Sequence, residues 1–125
     1  MNIRVAASSR PDTASALEEV CQQLTAMAED ASLVVFNLSQ GLDAQQVTDG
    51  LHQYMPGAAI LGGTSCQGSM TGDGYVGGQG AGLGVFVLSD PQGGYGVGSR
   101  RLGEDPAEAA TAAVLEALTA AGRPG

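Results

Sequence analysis

The stretch SLVVFNLSQGLDAQQVTDGLHQYMPGAAILGGTS, residues 32–65, decides the fold. Its opening run, 32–39, is rich in β-branched and aromatic side chains and has strand length. Gly41 ends that run. Ala44, Val47, Leu51 and Tyr54 then share one helical face, until Pro56-Gly57 stops the helix. AAILGGTS, residues 58–65, is another short apolar run of strand length. Strand, helix and strand at this spacing predict parallel strands joined by a right-handed crossover.

The same unit repeats upstream. Residues 3–7 form an apolar run closed by Ser8-Ser9-Arg10-Pro11, which reads as a buried strand running into a polar turn. Leu17, Val20, Cys21, Leu24, Met27 and Ala28 recur at helical steps, with Asp12 as the N-cap, or Ser15 with Glu18 in its place. Downstream the style changes. Gly80, Gly82 and Gly84 alternate with apolar residues and lead into Phe86, Val87 and Leu88, a strand with one side nearly bare. SDPQGG signals a turn, and Gly94, Gly96 and Gly98 alternate along an expected return strand over 94–99. Such a strand admits close approach by another backbone, a helix or a ligand, and packing is the commoner use. Asp105, Pro106 and Glu108 open a closing helix that Gly122 ends, with a stripe of Ala107, Ala110, Val114, Leu118 and Ala121 suited to lying tightly on a sheet. The expected fold is therefore α/β: a mixed sheet with a parallel βαβαβ first half, then a glycine-rich antiparallel hairpin and a closing helix. One domain is expected to span residues 1–125.

Composition narrows the partners. The 125 residues are 43% hydrophobic, enough for a core, and 13 acidic against 5 basic residues give a formal charge of −8. Every basic residue is an arginine. This balance argues against binding nucleic acid or an anionic membrane surface. No apolar run is long enough to span a bilayer and no signal peptide is evident, so a cytoplasmic location is expected. Cys21 and Cys66 have no CxxC spacing, which suits reduced thiols. A P-loop needs a lysine that the chain lacks, and no GxGxxG follows the first strand.

In an open α/β sheet ligands gather beyond the carboxyl ends of the parallel strands. That rule selects Ser8, Ser9 and Arg10, then Asn37, then Gly63, Thr64, Ser65 and Cys66 as candidate ligand-binding residues. The last loop can turn backbone N–H groups and hydroxyls toward one anionic or carbonyl group, and Arg10 could meet a carboxylate. The competing reading is that glycine and hydroxyl residues after a strand only turn the chain. A nucleophilic Cys66 would need a base, and His52, the sole histidine, lies off the apolar stripe of its helix. No enzyme and no metal site is expected. Cys21 reads as core, and Met55 and Met70 read as packing residues.

PGAAILGGTSCQGSM, residues 56–70, resembles the hallmark of FIST domains, through Pro56-Gly57, Gly62, Thr64, Ser65 and Gly68. Gly63 stands where a cysteine is common, Cys66 and Gln67 replace a small residue, and Ser69 replaces an acidic one. The order of the other segments agrees, from the opening strand and ASLVVFNLS to VGSRRLGEDPAEAATAAVLEAL. The resemblance implies the N-terminal part of a bacterial intracellular sensory module. Such a module binds a small molecule, an amino acid or related metabolite, and signals to a kinase, cyclase or chemotaxis partner. Some members of the family bind haem, but a single histidine argues against it here, and no cofactor is expected. The alternative function is a structural module that assembles as a homo-oligomer through its sheet edges, covered by a second copy.

Overall fold

The computed structural model describes residues 1–65, 67–77 and 80–122. Contacts group the chain into two compact units, Met1–Pro91 and Gln92–Gly125. The first unit holds β1 (Asn2–Ser8), α1 (Thr13–Gln23), a 3-10 turn (Thr25–Met27), β2 (Leu33–Ser39), α2 (Ala44–Tyr54) and β3 (Ala59–Ser65). β4 (Ser69–Thr71), β5 (Gly74–Val76) and β6 (Leu83–Ser89) follow. The second unit holds α3 (Pro106–Ala120). Among the described residues, no helix is long and apolar enough to cross a membrane.

The main sheet has the order β1-β6-β2-β3. β2 and β3 are parallel, and β6 runs antiparallel to both β1 and β2. β1, β2 and β3 therefore all point the same way, as the repeated strand-helix pattern predicts, with β6 wedged between the first two. Registry sorts the side chains onto two faces. Ala6 and Ser8, Val34, Phe36 and Leu38, and Leu83, Val85 and Val87 share the face on which Ala16 and Val20 of α1 and Val47 and Leu51 of α2 are buried in one core. The opposite face carries Ile3, Val5, Leu33, Val35, Leu61 and Phe86, and no helix of this unit covers it. Ile3 and Val5 are each 53% exposed and Leu61 49%.

Both helices are capped by aspartate. Asp12 Oδ1 accepts from Ser15 N at 2.9 Å, and Asp43 Oδ1 accepts from Gln46 N at 2.9 Å. The Asp12 cap is the first of the two alternatives read from the sequence. The Ser15 N–H stabilises the ionised carboxylate and holds the Asp12 carboxyl below its ordinary value of 3.8. A carboxyl with a depressed folded value adds stability that is complete above the unfolded value and lost as pH falls through the folded one. Urea midpoints of wild type and Asp12→Asn measured from pH 5 down to pH 2 should thus converge, the wild type losing an advantage that the amide never had.

The second unit corrects one expectation. Residues 93–100 form no strand, so the hairpin is not made by 80–88 with 94–99. Both edges of β6 are already taken by β1 and β2, which leaves a returning strand no ladder to join there. Gly96 and Gly98 instead lie against the backbone of α3, where a Cβ would overlap the carbonyls of Ala117 and Ala113. The Arg100 guanidinium pairs with Glu116 on the same helix. Alternating glycines thus serve helix packing. Within the expected stripe Val114 and Leu118 are exposed, and α3 has no buried residue.

The antiparallel hairpin that does form is β4–β5, within the glycine-rich stretch but earlier. Ser69 pairs with Val76, Met70 with Tyr75 and Thr71 with Gly74, around Gly72-Asp73. Its base is pinched by Gly68 and Gly77, both at positive φ (142° and 125°) and with backbones in mutual contact. The Tyr75 hydroxyl donates to the Gln67 carbonyl at 2.6 Å, tying the hairpin back to its approach.

Candidate functional site

Those sequence-predicted residues that are described lie at or next to the carboxyl ends of β1, β2 and β3, but not at one place. Ser8 and Thr64 project to the helix-covered face, while Asn37, Gly63 and Ser65 project to the other. A crevice forms where strand order reverses and successive helices cross to opposite faces. Here the order β1, β2, β3 advances in one direction and both helices lie on one face, so no such crevice arises.

Several of these residues are occupied by their own fold. The buried Ser8 hydroxyl donates to Glu19 Oε2 at 2.5 Å and accepts from Arg10 N at 3.2 Å. Arg10 Nε lies 3.4 Å from the same carboxylate oxygen, so the cation expected to meet a ligand carboxylate is paired with α1. Ser9 is exposed in that turn. Ser65 Oγ donates to Gly68 O at 2.6 Å and accepts from Gly68 N at 3.1 Å, the turn-forming use of a serine after a strand. Gly63 and Thr64 are exposed on β3. Cys66 lies outside the described residues.

Asn37 is different. It lines a groove of about 360 Å³ between the β4–β5 hairpin and the sheet face opposite α1 and α2. Val5, Val35 and Phe86 floor it, Gly84 opens it, and Ser69, Met70, Thr71 and Gly72 form its roof. Gly84 is what lets the hairpin approach: a Cβ there would sit 2.9 Å from Ser69 Cβ. Ser69 Oγ in turn donates to the Asn37 carbonyl at 3.4 Å, fixing the roof to β2. Met70 is 85% exposed at the rim, not packed as expected.

A second recess of about 240 Å³ adjoins the groove, sharing Val5 and Thr71, and adds Gln23, Asp73 and Tyr75. The pair offers an apolar floor, neutral hydrogen-bonding groups and one carboxylate. Neither recess is lined by an arginine among the described residues. The volume is at the small end of small-molecule sites, which run from about 300 Å³ upward.

Ser69, Thr71 and Phe86 escaped the sequence reading because the carboxyl-end rule does not reach a hairpin laid on the sheet. Gly84 was the available signal, as part of the nearly bare side of its strand. Cys21, read as core, is only half-buried and lines another groove, between α1 and α2. Burial pushes its thiol above the ordinary value of 9.0, which disfavours the reactive thiolate. No group of metal-ligating side chains occurs among the described residues.

No protein-family model matches this chain, and no curated protein matches it at a significant level.

Proposed function

We propose that the chain is a small-molecule-binding sensory module of the FIST type, acting in bacterial signal transduction through a downstream kinase, cyclase or chemotaxis partner. The groove under the β4–β5 hairpin supports the binding part of this reading: it joins an apolar floor to Asn37, Ser69 and Thr71, and its roof rests on a glycine. The ligand class follows from the charges. A free carboxylate would enter a groove that has no cation among its described lining residues, on a protein of net charge −8, whereas Asp73 in the adjoining recess can meet an ammonium. Small amines and amino-acid amides with an apolar side chain therefore fit better than free amino acids.

Thermal-shift assays with leucinamide, isobutylamine and free leucine test this. The two amines should raise the melting temperature and leucine should do so least. Gly84→Val, which forces the hairpin off the sheet, should abolish the shift in a protein that still melts cooperatively. No shift with any of the three, or an undiminished shift in Gly84→Val, would sink the groove reading.

A further inference from the structure

We propose that a second copy of this chain pairs with β3, antiparallel and centred on Gly62, joining two four-stranded sheets into one. The inference is independent of the groove, which lies under the hairpin.

β3 is an edge strand whose neighbour in the sheet is β2. Ala59 N donates to Ser32 O at 3.0 Å, so the backbone of Ala59, and with it Leu61, Gly63 and Ser65, faces β2. By alternation, the N–H and C=O groups of Ile60, Gly62 and Thr64 face outward. Residues 61–64 are exposed, and 59–65 carry no charge and no proline, the devices that normally blunt an edge.

The other edge is treated differently. On β1 the Gln23 side chain donates to Ala7 O at 2.9 Å and accepts from Ala7 N at 3.2 Å, mimicking a neighbouring strand. β1 also carries the charged and exposed Arg4. One edge is closed and the other is open.

A two-fold axis through Gly62 makes the open edge self-complementary. Gly62 faces the partner's Gly62, Ile60 faces the partner's Thr64 and Thr64 faces the partner's Ile60. All three are outward-facing residues, so each pair can exchange both of its backbone hydrogen bonds. Between them Leu61 falls opposite the partner's Gly63. Leu61 is 49% exposed, and Gly63 has nothing within 4 Å of the position of a Cβ, so the apolar side chain meets an empty place on the facing strand. A shift of one residue would set inward-facing groups against outward-facing ones and lose the ladder. That match between ladder parity and side-chain fit is what selects a second copy as the occupant.

Sedimentation velocity on wild type over a dilution series, beside Thr64→Pro and Gly63→Lys, tests the pairing. Proline at 64 removes an outward donor without touching the β2 ladder, and lysine at 63 fills the space opposite Leu61 with a charge. Wild type should move from twice the 12.5 kDa chain mass toward the single-chain mass on dilution. Each variant should raise the dissociation constant by about tenfold or more, with unchanged circular dichroism. A wild type that is monomeric at every concentration, or folded variants that dimerise as well as wild type, would overturn the proposal. Should the variants unfold, amide exchange on wild type decides: protection at Ile60, Gly62 and Thr64 must rise with concentration, and uniformly fast exchange there would refute the pairing.

Discussion

Ser39→Ala should destabilise the first unit by about 2–4 kcal/mol, although it deletes a single oxygen. Ser39 is 2% exposed at the end of β2. Its hydroxyl donates to Gly80 O at 2.9 Å and accepts from Gly82 N at 2.9 Å, while its own N–H donates to Gly82 O at 2.9 Å. The side chain therefore completes the backbone pairing where β6 begins. Alanine would leave a buried donor and a carbonyl without partners, and each such loss costs about 1–3 kcal/mol. The loss is large against a total stability of roughly 5–15 kcal/mol for a domain. Urea denaturation at neutral pH measures it as a lowered midpoint with an unchanged slope. A loss under half a kcal/mol would mean that this serine only turns the chain.

Leu38→Ala should cost about 2–5 kcal/mol, and Ile3→Ala far less. Both are aliphatic residues of the same sheet. Leu38 has no exposed surface, pairs in register with Leu83 and belongs to the core that also holds Val47 and Leu51, so truncation leaves a cavity that its neighbours fill only in part. Ile3 projects to the face opposite α1 and α2 and is 53% exposed, so truncation returns little surface to water. The contrast tests registry directly, because a slip of one residue would exchange the two faces. Comparable losses at the two positions in urea melts would contradict this registry.

The elements that periodicity can define were legible. Residues 32–65 read as strand, helix and strand, and β2, α2 and β3 occupy that span. The common direction of β1, β2 and β3 followed from the repeated unit. The insertion of β6 between β1 and β2 did not, because strand order depends on pairings between distant segments and leaves no local pattern. The glycine runs were ambiguous for a related reason. Gly84 admits a hairpin, whereas Gly96 and Gly98 admit a helix, and the alternation is the same in each case.

The site was legible only in part. The carboxyl-end rule located Asn37, which lines the groove, and also Ser8 and Arg10, which pair with Glu19 of α1, and Ser65, whose hydrogen bonds close a turn. Nothing in local composition distinguishes these uses, since a serine after a strand suits either. The hairpin roof was missed because a three-residue strand such as β4 is too short for alternation to show.

The central claim is that the groove under the β4–β5 hairpin takes a small amine-bearing ligand. Titrating isotope-labelled protein with leucinamide and following backbone amide shifts tests it most directly. Saturable shifts should concentrate at Asn37, Ser69, Thr71, Gly84 and Phe86, with Asp73 following the ammonium. Shifts that never saturate, or that centre on Ser8, Arg10 and Thr64 while the groove stays silent, would contradict it.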